Sequence, residues 1–272
     1  MRHWISALAL TLCATSLLYA QAVAPAKPAP AAPRTPAATK PDTPAQSQPL
    51  PSARSIIDKY VQAIGGRRAI LAHSSSHATG TLNVPSQGIT GNIEIYSAKP
   101  NKSLVKTTIG GIGEIIEGFD GTHGWGINPI TGPSLAEGKE LEQKQFDADF
   151  YSDLHDEARY TSMKTVEKTT FEGRPAYKLS LVKKIGGEDL EYFDAETGLK
   201  LGTTESREGP MGAMNITVSQ TDYKKFGDQL LPTTLKETTS GVSNVITFTS
   251  IEFDNVPSST FDIPERIKAL IK

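Results

Sequence analysis

Apolar residues change their spacing several times along this chain. Over 5–20 they form one near-continuous run behind a short basic start, Met1-Arg2-His3-Trp4. Over 56–64, Ile56, Ile57, Tyr60, Val61 and Ile64 recur at helical spacing, with Arg54, Asp58, Lys59 and Gln62 on the other face. That pattern predicts an amphipathic helix that has to lie on an apolar surface. Ser52 can cap it, Gly65-Gly66 stops it, and 67–72 has room for one more turn. From His77 the period becomes two. Ile89, Gly91, Ile93 and Ile95 alternate with Thr90, Asn92, Glu94 and Tyr96, the pattern of a half-buried strand. Strand patterns continue over 105–109, 114–119, 125–127, 163–170, 177–182, 190–194, 199–208, 214–223, 231–239 and 242–253. Turn pairs such as Asp120-Gly121, Glu172-Gly173, Gly186-Gly187 and Ser240-Gly241 separate them. The β pattern breaks once. Residues 129–133 read as a loop, and over 135–155 Leu141, Phe146, Phe150 and Leu154 mark one face of an inserted, irregular helix.

Strands of this length with a turn every ten residues or so predict successive antiparallel hairpins, hence a mainly β (α+β) domain built on a large curved antiparallel sheet or barrel. No alternation of strands with helices occurs, which argues against a parallel sheet. A strongly curved sheet has a concave face. The N-terminal helix and the inserted helix are the elements available to cover it, filling it as core or leaving an apolar cavity.

The first 22 residues carry the marks of a cleavable secretory signal, with cleavage expected after Ala20 or Ala22. Residues 23–51 are rich in proline and alanine and cannot bury a core; they are expected to be a disordered tether. The folded domain is expected over 52–272. The lone cysteine, Cys13, leaves with the signal, so packing rather than a disulfide must hold the mature domain. A net charge of −2 with no basic stripe argues against nucleic acid.

Motifs with chemical meaning fail on inspection. Gly110-Gly111-Ile112-Gly113 has Ile116 where a dinucleotide loop needs glycine. Asp147, Asp149 and Asp153 resemble the start of a calcium loop, but Ser152 and Ala158 stand where a glycine and a glutamate are needed. His73 and His77 straddle a helix-to-strand junction without a third ligand, and His123 with Asp120 reads as a hairpin tip. No cofactor, metal site or catalytic residue is expected. A compact cluster of histidine and carboxylates inside the concavity would be needed to argue for an enzyme.

Several short segments, taken in order, carry a resemblance. They are Tyr60-x-x-Ala63-Ile64-Gly65-Gly66, Lys99-Pro100-Asn101-Lys102, Gly118-Phe119-Asp120-Gly121-Thr122-His123-Gly124-Trp125, Gly173-Arg174-Pro175-Ala176-Tyr177, Glu191-Tyr192-Phe193-Asp194-Ala195-Glu196-Thr197-Gly198-Leu199 and Phe261-Asp262-Ile263-Pro264. Together they resemble the outer-membrane lipoprotein-sorting (LolA-like) family, in a divergent exported form. The resemblance implies an unclosed β-barrel, or half-barrel, with helices as a lid over an apolar cavity. It implies a periplasmic or cell-envelope protein that binds a lipid or an acylated protein, possible peripheral membrane association, and a role as carrier in lipoprotein sorting. The alternative it leaves open is an interaction or sensor module with a filled barrel that binds envelope protein partners. Expected cavity residues are Ile93, Ile95, Trp125, Phe146, Phe150, Leu179 and Leu181.

Overall fold

The computed structural model describes residues 49–209 and 212–271. The expected signal peptide and nearly all of the tether lie outside the described residues. Ser52 accepts a hydrogen bond from the Ser55 amide at 3.2 Å and opens α1 (Ala53–Ala63), whose buried face is Ala53, Ile56, Ile57, Tyr60 and Val61. Gly65, at φ 124°, ends it; a side chain there would place Cβ 2.5 Å from the Asp228 carbonyl oxygen. Helix α2 (Gly66–Ala72) follows, in the stretch that had room for one more turn.

Thirteen strands then form one antiparallel sheet among the described residues. They are β1 (Ser75–Val84), β2 (Ile89–Ala98), β3 (Lys102–Ile109), β4 (Gly113–Phe119), β5 (Gly124–Asn128), β6 (Gly132–Ala136), β7 (Tyr160–Phe171), β8 (Arg174–Lys183), β9 (Glu188–Asp194), β10 (Lys200–Gly209), β11 (Gly212–Phe226), β12 (Gln229–Thr239) and β13 (Val242–Phe253). The spatial order is β6-β5-β4-β3-β2-β1-β13-β12-β11-β10-β9-β8-β7. Two hairpin series, β1–β6 and β7–β13, are thus joined by the β1–β13 pairing, and the sheet does not close. This is the curved, mainly β half-barrel with helices that the pattern and the resemblance led us to expect.

The insertion differs in detail. Residues 132–136, expected as loop and helix start, form β6 on the sheet edge, because Gly132 and Ala136 continue the ladder from Asn128 and Gly124. The helix itself, α3 (Gly138–Asp147), is shorter than expected and gives way to 3-10 turns at Ser152–Leu154 and Glu157–Arg159. A short helix α4 (Glu265–Lys268) closes the chain.

Register assigns the faces, since directly paired residues share one. Ile95 pairs with Ala78 and Val105, and Val105 with Glu117, all on the concave face. Trp125 pairs with Gly118, which pairs with Leu104: these lie on the convex face, under Phe261 and Ile267 of the C-terminal segment. The indole lies across Gly118, where an added Cβ would fall 2.4 Å from Trp125 Cε2. Gly118→Ala should therefore lower stability by roughly 1–3 kcal/mol through overpacking. Gly110→Ala, where the added methyl meets nothing within 4 Å, should be close to neutral. Paired thermal melts check this, and equal losses would refute the packing argument.

Candidate functional site

Along the concave face the core divides into two apolar clusters. The first holds Ala78, Leu82, Val84, Ile93, Ile95, Val105, Ile109, Ile115, Leu231, Leu235, Ile246, Phe248 and Ile251, all from strands. The second packs the α1 residues Ile56, Ile57, Tyr60 and Val61, with Ile64 just after that helix and Ile70 of α2, against Leu179, Leu181 and Phe193, with Phe146 and Leu154 from the insertion. Helix α1 therefore covers the β7–β9 wing, while the wall around β1 and β2 is covered without it.

At one end of the half-barrel a cleft of about 40 Å³ lies between the two clusters. Ile70 reaches it from the second cluster, Leu231 and Phe253 from the first, and Phe150, Asp149, Asp153, Gln229, Ser76 and Ser97 complete its lining. That volume holds about three water molecules and is too small for an acyl chain.

The expected cavity residues fall in five places. Ile93 and Ile95 stand in the strand wall and Leu179 and Leu181 under α1. Phe146 lies beneath two cations, with the Arg159 guanidinium 3.9 Å and Lys183 Nζ 5.7 Å from its ring centre. Phe150 is half-buried at the cleft. Trp125 is on the opposite face of the sheet, so it is not brought together with the others.

Polar contacts tie the covering elements to one another and to the β9–β10 turn. Tyr60 donates to Asp153 at 2.7 Å, Lys59 to the Glu196 carbonyl at 2.7 Å, and Tyr151 to the His73 carbonyl at 2.9 Å. His155 is fully buried and meets oxygens at both ring nitrogens: the Asp153 carbonyl at Nδ1 and Glu191 at Nε2, each 2.9 Å away. The aspartates read above as a failed calcium loop go to different partners, Asp147 to Arg207, Asp149 to Arg159 and Asp153 to Tyr60. His77 does not join His73; it stacks on Tyr96 with ring centres 4.1 Å apart.

His73 is a clamp. Its Nδ1 lies 2.7 Å from Asp254 and its Nε2 2.9 Å from Asp228, tying the end of α2 to β13 and to the β11–β12 turn. Partial burial opposes the charged ring, but the two carboxylates outweigh it and raise its pKa. Burial opposes ionisation of Asp254 as well, yet His73 and Ser74 bring that carboxyl down to about 2.

Sequence reading missed a second feature of the concave face, a buried charged network at the end of the half-barrel away from the cleft. Lys183 contacts Asp189 at 2.7 Å and Glu205 at 3.7 Å. Arg207 contacts Glu205 at 2.9 Å and Asp147 at 3.1 Å. Burial raises the Asp147 carboxyl to about 6 despite Arg207. Glu237 lies beside this network at 1% exposure, and neither carboxylate oxygen has a hydrogen-bond partner. Burial, with Glu205 adding to it and Arg207 opposing it, raises that carboxyl to about 8. The signal available in the sequence was charge at inward positions of otherwise alternating strands, at Lys183, Asp189, Glu205 and Glu237.

No protein-family model and no curated protein matches the chain. Solved structures do. A LolA superfamily protein from Nitrosomonas europaea is 14% identical over 79% of this chain and 99% of its own, with a TM-score of 0.53. A DUF1329 family protein from Desulfovibrio piger is 13% identical over 77% of this chain and 97% of its own, with a TM-score of 0.54. A domain described as an outer membrane lipoprotein-sorting protein, from Vibrio parahaemolyticus, is 14% identical over 77% of this chain and 95% of its own, with a TM-score of 0.52.

Two expectations follow from the site. A raised carboxyl lets the unfolded state ionise first, so Glu237 costs stability as pH rises from about 4.5 toward 8. Glu237→Gln should then raise stability at pH 7 by on the order of 2 kcal/mol, a melting shift of about 4–8 °C, and by little at pH 4. A melt that falls at pH 7 would contradict this. The His73 clamp has a different window. The raised His73 contributes fully below its ordinary pKa and loses that contribution as pH rises through the raised value, while Asp254 loses its share as pH falls toward 2. His73→Gln should cost more at pH 5.5 than at pH 9; equal costs would refute the clamp. At this level of identity the likeness is one of fold: this chain folds as the LolA superfamily protein and the lipoprotein-sorting domain do.

Proposed function

We propose that this protein is an exported, non-enzymatic binder of lipids or acylated proteins in the cell envelope, acting as a carrier in lipoprotein sorting. One observation carries the reading: the concave face is divided into two apolar clusters, and the cleft lined by Ile70, Leu231, Phe253 and Phe150 lies where they meet. A chain inserted along that seam parts two preformed apolar surfaces and does not need to dismantle either. Each methylene taken from water contributes about 0.8 kcal/mol, so a partly buried chain offsets the displaced lid contacts. The apolar run at 5–20 supports export, and the fold shared with a lipoprotein-sorting domain supports the ligand class. His155 and Glu191, a histidine and carboxylate inside the concavity, are fully buried and pin the insertion to β9; that placement favours a structural role over a catalytic one.

A second reading, an interaction or sensor module with a filled barrel, draws on the closure of the concave face by its own side chains. Native mass spectrometry separates the two. The protein incubated with a phospholipid and with an acylated peptide is expected to gain the mass of one ligand. Phe150→Ala should weaken that binding by roughly five- to tenfold through lost apolar contact at the cleft, and Val166→Ser, on the exposed edge strand, should leave it unchanged. An unchanged mass with every amphiphile would refute the lipid reading in favour of the filled barrel.

A further inference from the structure

The end of the half-barrel opposite the cleft is built unlike the rest of its interior. Glu237 pairs across the sheet with Asn244 on β13 and with Val218 on β11, and Val218 pairs in turn with Thr203 on β10. One step further on, Thr239 pairs with Ile216, and Ile216 with Glu205. These residues share the concave face. Val218 and Ile216 form an apolar floor with oxygen-bearing side chains on both flanks, roughly 9–10 Å apart across two strand spacings.

Three of those side chains are more than nine-tenths buried and hold polar atoms without a hydrogen-bond partner: both carboxylate oxygens of Glu237, and the hydroxyls of Thr239 and Thr203. Buried polar atoms are nearly always satisfied, so such a group points to a ligand or solvent that completes it. The nearby cations are engaged elsewhere, Arg207 by Glu205 and Asp147, Lys183 by Asp189. Within this network, and counting Glu237, four buried carboxylates (Asp147, Asp189, Glu205 and Glu237) face the two cations Lys183 and Arg207; the buried Lys200 and Glu191 lie further along β10 and β9, beside Phe193 and Thr203. A buried excess of negative charge is costly until a positive group or protons neutralise it. A proton on Glu237 is one way to neutralise it, consistent with the raised carboxyl described above.

We infer that this end of the half-barrel binds the headgroup of an amphiphile that carries a hydrogen-bond-donating positive charge, an amine or ammonium, with Glu237 as its counter-ion and Thr239 and Thr203 as further acceptors. The inference rests on the lipid-binding reading and names the class of headgroup. The apolar stripe needed for the chain adjoins the site. On β12, Glu237, Leu235 and Leu231 face the same way, with Ile246 beside Leu235. Six residues of strand from Leu231 to Glu237 span about 20 Å, the reach of an extended long acyl chain between this end and the cleft.

The test titrates the full chain with dodecylamine, dodecanol and dodecanoate at monomeric concentrations, read by calorimetry and native mass spectrometry. Dodecylamine should bind at least about tenfold more tightly than dodecanoate. Glu237→Gln, which keeps size and shape, should bring the amine down to the level of dodecanol without weakening dodecanoate. Thr239→Val should lower amine affinity by about threefold. Melting curves of both variants establish that they are folded. Equal binding of amine and carboxylate, or an amine preference that survives Glu237→Gln, overturns the inference and leaves lipid binding standing. Binding of none of the three overturns both.

Discussion

Everything in this domain depends on how an open antiparallel sheet covers its concave face. Each strand sends every second side chain inward, and pairing fixes which ones. With thirteen strands the inward surface is large, while the helices are few and short. Helix α1 packs on the β7–β9 wing through Ile56, Ile57, Tyr60 and Val61. The β1–β4 wall is covered mainly by the sheet curving toward itself, and its apolar cluster is accordingly made of strand residues. The division between clusters, the cleft between them and the polar end opposite all follow from one long curved sheet meeting a short lid.

Much of this was legible from residue spacing. Ile56 to Ile64 announced α1, and the turn pairs placed nearly every hairpin. The alternation around Ile93 and Ile95 placed both on an inward row, where they are. The faces were harder. Trp125 sits in a strand as expected, but its face depends on pairing with Gly118 and on a C-terminal segment remote in sequence. Spacing within one hairpin carries no information about either. The edge strand β6 was missed for a similar reason: five residues including Pro133 and two small neighbours look like loop until β5 is there to pair with them.

The charged interior was the least legible part. Lys183, Asp189, Glu205 and Glu237 break the apolar alternation of their strands, so each alone reads as a solvated position. Register brings them together across β8 to β12. Natural cores avoid such groups because an ion pair seldom recovers its full desolvation cost. Lys183 and Arg207 are each flanked by two carboxylates, which makes the network tolerable. Glu237 has no such compensation and holds the surrounding strands in a state less stable than an apolar residue would give. A cost of that kind, in the interior of a folded domain, is the ordinary mark of a position that serves something other than stability.

The single joint between the two hairpin series has its own bearing on how the chain reaches this state. Within β1–β6 and β7–β13 every pairing is between strands adjacent in sequence, so each series can zip up through short loops. The β1–β13 ladder pairs Asn83 with Val245, and closing a loop of that size removes chain entropy in one step, before the contacts across it have formed. The concave face exists only after that step. Until then each half exposes its inward apolar row on one side, and the molecule is at its most adhesive just before its interior is sealed.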